Sequence, residues 1–368
     1  MKVLILQDHL RGGGTERQSI ALTEAFLKEG IDAQLIVGHA GGILDDVAHN
    51  ALGDRLFFGS HSTLLFTPKA ILRIRKQLPK TPHALICMGR WAHLVSTVLG
   101  RTAQRTTITT VRTSRSLPYF YRRAILRSDC LITNSHWALE HARNACKGKA
   151  LPPAHVIHNG LSRPDLLSIE AIDKQTARVH FQIPTDRKIL ISVARFDSGK
   201  GQEDLIHALA LSPGLDHELW LLGAGPELER LQTLTKLLQL ENRVRFLGFV
   251  EDVRQIYAAA DIFVSASQLD SLPNALLEAH AAGLPIIAYP SAGIPEIVDH
   301  EKSGYLVDSF DSAGLDQQIR ALVQNPAQCS SMGQFGREKI QLHFNQKQQN
   351  ARFCERVLEQ MKNTTERP

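Results

Sequence analysis

Short apolar runs alternate along the chain with longer stretches whose apolar positions recur every three or four residues. The runs look like strands buried on both faces and the longer stretches have the helical period, so the pattern predicts parallel α/β domains. KVLIL is the first predicted strand. TERQSIALTEAFLKEG is the helix after it, with Thr15 and Gln18 at capping-box spacing and Gly30 as its stop. AQLIVG, ALICM, TTITTV and CLITNS are further strands up to about residue 135, and HVIHNG near 155–160 closes this half.

The polar stretch LSRPDLLSIEAIDKQTARVHF then carries no strand, which places a boundary near 163–180. The rhythm restarts at KILISVA and continues through ELWLLG, RVRFLG, DIFVSA and LPIIAY, each followed by a helix. Two successive α/β domains result, residues 1–165 and 166–345, with a last helix at about 346–362 once the second is complete. Ligands of such domain pairs usually sit in the cleft between them.

Composition is that of a soluble globular chain, 43% hydrophobic and 21% charged, and disorder is not expected before the final KNTTERP. The five cysteines are scattered and never spaced CxxC, which speaks against a disulfide framework or structural zinc and fits a reducing cytoplasm. MKVLILQD meets Asp8 too early for a signal peptide, and no run of about 18 apolar residues occurs, so neither secretion nor a membrane span is expected. The net charge of +5 divides unevenly: residues 1–163 hold 22 Lys+Arg against 10 Asp+Glu, the remainder 20 against 27. A basic first half is expected to meet an anionic surface, either nucleic acid or a phospholipid or lipopolysaccharide surface, unless the halves merely complement each other.

Three stretches could carry chemistry. LQDHLRGGGTERQ puts three glycines between the first strand and its helix, where backbone N–H groups could approach a phosphate or simply make a tight turn. It is not GxGxxG, so the dinucleotide fingerprint is missing. ISVARFDSGKGQEDLIHAL puts Arg195 and Lys200 in a loop at the C-terminal end of a strand, two cations suited to a diphosphate or to solvent. LDSLPNALLEAHAAGLPIIAY predicts one short helix between Pro273 and Gly283, whose first-turn amides would point at an anion. Asp270 before it makes a better acceptor for sugar hydroxyls than a phosphate neighbour, and Glu278 could take ribose hydroxyls. In the blander reading Asp270 and Ser271 cap the helix and Glu278 lies on a solvated face. There is no D-x-D pair, no P-loop and no HExxH, so a bound diphosphate would be neutralised by cations and helix dipoles without metal.

In order, SVARFDSGKGQEDLIHAL, LLGAGPELERL, RVRFLGFVEDV, DSLPNALLEAHAAGLPIIA and SAGIPEIV…SGYLV, with GGTERQ and VIHNG before them, resemble the group 1 (family 4) retaining glycosyltransferases. The likeness is strongest over 188–308. It implies the α/β GT-B fold, two Rossmann-like domains facing each other across a cleft, with a nucleotide-sugar on the C-terminal domain and an acceptor on the N-terminal one. Arg195 and Lys200 match the family's diphosphate pair. Asp270 and Glu278 match its two spaced acids, usually E-x7-E, on donor-sugar and ribose hydroxyls. Arg195, Lys200 and Asp270 are the implied catalytic residues. The amides of Ser271, Leu272, Pro273's neighbour Asn274 and Leu277 would face phosphates and sugar, Phe249 falls where the base is cradled, and Gly13 and Gly14 match a loop that closes on the donor. The last helix would cross back onto the N-terminal domain. Two departures stand out: Asp270 is one methylene shorter than the usual Glu, and Arg112 stands where many relatives carry a histidine.

The implied reaction transfers a hexosyl or N-acetylhexosaminyl group with retention from a UDP-sugar, or secondly a GDP-sugar, to an acceptor hydroxyl, with no cofactor and no metal. RTAQRTTITTVRTSRSLPYFYRRAILR and the basic amphipathic helix PKAILRIRKQLPK suit an anionic leaflet or a phosphate-bearing acceptor. Arg112, Arg115, Arg122 and Arg123 are the candidates for one or the other. The expected acceptor is a bacterial cell-envelope glycan or glycolipid, such as lipopolysaccharide core or a lipid-linked oligosaccharide. The expected location is cytoplasmic, peripheral at the inner face of the cytoplasmic membrane, with no nucleic-acid partner and no indicated oligomeric state. Still open are a nucleotide-sugar epimerase of the same fold and a non-catalytic nucleotide-binding relative; a dinucleotide-dependent dehydrogenase is disfavoured by the missing fingerprint.

Overall fold

A computed structural model of the chain describes all residues except 61–67, 82, 101, 185, 251, 269 and 366–368. The chain divides into two units, Met1–Ser162 with Gln346–Pro368, and Arg163–Asn345. Each is built on one parallel sheet, most of whose strands are apolar runs, as burial on both faces favours.

The first sheet holds β1 (Lys2–Gln7), β2 (Asp32–His39), β3 (Leu56–Ser60), β4 (His83–Cys87), β5 (Arg105–Val111), β6 (Cys130–Thr133) and β7 (Ala154–Val156), in the order 3-2-1-4-5-6-7. Its helices are α1 (Gly14–Lys28), α2 (Asp45–Leu52), α3 (Pro68–Gln77), α4 (Arg90–Leu99), α5 (Tyr119–Arg127), α6 (His136–Ala145) and the chain's last, α15 (Gln346–Thr365). Strand residues alternate between two layers. Val3, Ile5, Ile86 and Ile132 pack with α1, α2 and α15. Leu4, Leu85 and Cys87 pack with α3 and α4, and Val111 and Leu131 with α5 and α6.

The second sheet holds β8 (Lys188–Val193), β9 (His217–Leu222), β10 (Val244–Gly248), β11 (Ile262–Ser265), β12 (Ile286–Ala288) and β13 (Gly304–Leu306), in the order 10-9-8-11-12-13. Around it lie α7 (Lys174–His180), α8 (Gln202–Ala210), α9 (Leu228–Leu237), α10 (Arg254–Ala259), α11 (Asn274–Ala281), α12 (Ile294–Ile297), α13 (Ser312–Val323) and α14 (Pro326–His343). In both sheets the strand order reverses beside the first strand, between β1 and β4 and between β8 and β11. Sheets of this kind bind ligands outside the carboxyl ends of the strands at that reversal.

Two strands escape the sequence pattern. β3 is a half-buried edge strand and β13 is three residues long, so neither presents a full apolar run. The capping box at Thr15 and Gln18 does not form. The N-cap of α1 is Gly13, with no side-chain cap, and Thr15 lies inside the helix. Because α15 packs on α1, the buried Gln18 side chain donates to Asn350 Oδ1 at 2.8 Å instead of serving its own helix terminus.

Candidate active site

In the second unit, loops from β8, β9, β10 and β11 meet at the strand reversal. Two glycines let them pack edge to edge. A Cβ at Gly201, where φ is +72°, would lie 2.0 Å from Ala266 O, and one at Gly223, where φ is +142°, 2.0 Å from Ala194 O. The Gln268 N–H donates to Gly199 O at 2.9 Å, tying the β11 loop to the β8 loop.

This packing brings Lys200 and Asp270 together. Lys200 Nζ donates to Asp270 Oδ1 at 2.6 Å, and Ser267 Oγ donates to Oδ2, also at 2.6 Å. The two charged side chains are 19% and 23% exposed, enough for a ligand to reach them and little enough that water screens the pair only partly. Asp270 does not cap α11: the N-cap is Pro273, and the two Asp270 oxygens accept from Lys200 and Ser267. Ser271, Leu272 and Leu277 are buried, and Asn274 opens the first turn of α11.

Arg195 is 68% exposed, with Nε 3.0 Å from Asp197 Oδ2. Its backbone carbonyl accepts from Gln202 Nε2 at 3.0 Å, so the loop is pinned while the guanidinium stays at the surface. Glu278, half-buried on α11, accepts from Tyr257 OH at 3.4 Å. Burial holds the Tyr257 phenol well above its usual range, so it remains a donor. Arg163 bonds Asp165 at 3.0 Å, which chiefly raises its pKa, and Glu278 and Asp252 add to the effect. Phe249 follows β10 with its ring 63% exposed. Sequence reasoning missed Ser267, Tyr257 and Arg163, none of which belongs to a motif by itself.

In the first unit, the Asp8 carboxylate at the end of β1 accepts the N–H groups of Trp91 and Ala92, each at 3.0 Å, at the start of α4. Burial nevertheless raises its pKa. Beside it lies a cavity of about 290 Å³ lined by Asp8, Glu16, Arg90, Arg112, Arg115 and Tyr121 among others. Arg112 donates to Asn159 Oδ1 at 2.5 Å and lies 5.9 Å from the Phe353 ring centre. Burial lowers its pKa to about 10, so it is still a cation at neutral pH. Its Nε is buried without a hydrogen-bond partner among the described residues. Arg115 is exposed at the rim. Gly13 and Gly14 open α1, and a Cβ at Gly13 would lie 2.4 Å from Glu16 Oε2.

Arg122 and Arg123 do not reach this cavity. They line a separate groove of about 280 Å³ beside α5. The four arginines grouped by sequence therefore belong to two places. A further residue the sequence did not single out is His93, fully buried between Gly89 O at 2.6 Å and Thr110 O at 3.0 Å and edge-on to Tyr121. Burial outweighs both carbonyls and lowers its pKa to about 3.

Two parallel α/β units, each with ionic side chains at its strand reversal, define a doubly wound architecture of the kind that binds ligands at that point. Residues 173–339 match the family described as Glycosyl transferases group 1, and residues 12–163 the one described as Glycosyltransferase Family 4. The N-acetyl-alpha-D-glucosaminyl L-malate synthase of Bacillus anthracis is 30% identical over 270 residues, 72% of this chain and 68% of that one. The lipopolysaccharide core biosynthesis glycosyltransferase LpsE of Rhizobium meliloti is 27% identical over 341 residues, 90% and 94% of the two chains. Among solved structures, Anabaena HepE in complex with UDP superposes with a TM-score of 0.82 at 21% identity, covering 98% of this chain and all of that one; HepE has also been solved with UDP-glucose. The chain belongs to the group 1, family 4 glycosyltransferases, and its fold is GT-B.

Proposed function

We propose that this glycosyltransferase moves a hexosyl or N-acetylhexosaminyl group from a UDP-sugar, with GDP-sugar the second choice, to a hydroxyl of a cell-envelope glycan such as lipopolysaccharide core or a lipid-linked oligosaccharide. Transfer proceeds with retention and without metal. The observation that carries this reading is the Lys200–Asp270 pair at the strand reversal of the second sheet, just ahead of the first turn of α11. A bound diphosphate draws Lys200 and Arg195 onto its oxygens, aided by the α11 amides. Asp270, released from Lys200, accepts donor-sugar hydroxyls; Glu278 takes the ribose hydroxyls and Phe249 covers the base.

The bond from the sugar's anomeric carbon to the β-phosphate oxygen breaks, leaving charge on the diphosphate. The acceptor oxygen bonds to the anomeric carbon, and its proton passes to the leaving phosphate, so no protein base is needed. Pre-placed donors on a developing anion are worth about 2.7–4 kcal/mol each. The HepE complexes with UDP and UDP-glucose support a UDP-sugar, and the lipopolysaccharide role of LpsE supports an envelope acceptor. The half-buried Arg112, with its unpartnered Nε, and Arg115 at the rim favour an acceptor carrying an anionic group.

Among the described residues no helix is long and apolar enough to cross a membrane. Peripheral attachment at the inner face of the cytoplasmic membrane rests on the basic helices of the first unit. A thermal-shift screen of UDP- and GDP-sugars tests the donor, because a ligand at 100 Kd stabilises by about 2.7 kcal/mol. Arg195→Ala or Lys200→Ala is expected to lower kcat at least about tenfold, roughly 1.4 kcal/mol. Near-normal turnover in both variants contradicts the assignment, and an inverted anomer in the product rules out retention.

A further inference from the structure

The helices of the first unit segregate their charge by face of the sheet. On one face α3, α4 and α5 carry eight Lys and Arg and no Asp or Glu, and α6 adds Arg143 paired with Glu140, whereas on the other α1, α2 and α15 carry six of each sign. The three basic helices are neighbours in one layer. Ile74 of α3 shares a cluster with Ala92 and Val95 of α4, and α4 packs on α5 through the Trp91–Phe120 stack and the His93–Tyr121 contact. Each also leaves one large apolar side chain in solvent: Leu72 is 55% exposed, Val98 58% and Tyr119 68%. Solubility alone is served by interspersed signs and few exposed apolar groups. A cationic face with an apolar side chain standing out from each helix is instead the pattern of an interfacial surface.

The groove beside α5 adds a seat to this surface. Its rim carries Arg122, Arg123, Arg127, Lys147 and Lys149, its floor includes Leu126 and Cys146, and no acid lines it. We infer that the α3–α4–α5 face docks on a bilayer rich in anionic phospholipid, with Leu72, Val98 and Tyr119 entering the headgroup layer and the groove seating a lipid phosphate. This rests on the peripheral reading above and assigns the face that carries it. Leaflet anions attract such clusters within a Debye length, so attachment weakens as salt rises.

Flotation of the full chain with vesicles tests the assignment. Vesicles of phosphatidylglycerol and phosphatidylcholine are expected to carry the protein at low salt, and phosphatidylcholine alone to leave it behind. The quadruple variant R75E/K76E/R123E/R127E is expected to lower the partition constant at least about tenfold, and L72S/Y119S several-fold. K28E/K347E/R352E/K362E, the same charge change on the opposite face, is expected to stay within about twofold. Melting temperature and UDP binding establish that each variant is folded. If the wild type ignores the anionic vesicles, or binds phosphatidylcholine equally well, peripheral attachment by charge is wrong and this face with it. If the wild type binds but the opposite-face variant loses as much, the face alone is wrong. If the basic-face variant binds vesicles normally and instead dissolves a dimer, the occupant is a second copy and the inference falls.

Discussion

Both units place charge at the same topological point and hold it differently. At the second sheet's reversal, Lys200 and Asp270 are each other's partners and remain about one-fifth exposed. At the first, Asp8 is fixed by the amides of α4, and Arg112 by Asn159 with the Phe353 ring nearby. An ion pair of two side chains can be exchanged for a ligand without stranding either charge, since a diphosphate takes the cation while hydroxyls take the acid. A carboxylate held by backbone N–H groups cannot be exchanged in this way, and removing its partners would leave a buried charge at a cost of several kcal/mol. The second site is built to swap partners and the first to keep its shape.

The largest effect should separate the two cations of the second site. Lys200→Ala removes a half-buried cation and orphans Asp270, so kcat should fall about a hundredfold, roughly 2.7 kcal/mol. Arg195→Ala removes an exposed group and should cost nearer tenfold; equal losses in steady-state kinetics would erase the distinction between them.

Next comes pH. Burial lowers His280 of α11 to about 4 and His93 of α4 to about 3, while the unfolded rings titrate near 6.5. The unfolded chain therefore binds more protons below that value. Stability should be level above about pH 6.5 and decline as pH falls toward 4, by about 2 kcal/mol per ring at pH 5. Denaturation of His280→Asn across pH should show a shallower decline than the wild type; an unchanged slope removes this histidine from the account.

Arg112→Met should raise the acceptor KM about tenfold, roughly 1.4 kcal/mol, and leave UDP affinity alone. A matching loss of UDP affinity would mean that Arg112 does not belong to the acceptor. Smallest is Phe249→Ala, which removes an exposed ring and should weaken UDP by about 1 kcal/mol, read by calorimetry.

The fold was largely legible because strands buried on both faces are unbroken apolar runs, as in KILISVA and DIFVSA, and α11 is framed by Pro273 and Gly283. β3 and β13 were not, being too short or too exposed to make such a run. Motif spacing named Lys200 and Asp270 separately, and nothing local could pair residues that only glycine-tight loops bring to 2.6 Å. Gln18 made the opposite error. Local spacing promised a cap, and a tertiary partner on α15 took the side chain. Arg112, likewise, was legible as a cation, but its burial depends on Asn159 and Phe353, which meet it only in the folded unit.

In the proposed site Lys200 answers to the diphosphate and Asp270 to the sugar. Calorimetric titration of UDP and of the UDP-sugar found in the screen, on wild type, Lys200→Ala and Asp270→Asn, tests it most directly. Lys200→Ala should weaken both ligands at least about tenfold, roughly 1.4 kcal/mol, whereas Asp270→Asn should leave UDP within about twofold and weaken only the UDP-sugar. UDP binding untouched by Lys200→Ala, or UDP and UDP-sugar weakened alike by Asp270→Asn, would contradict the account.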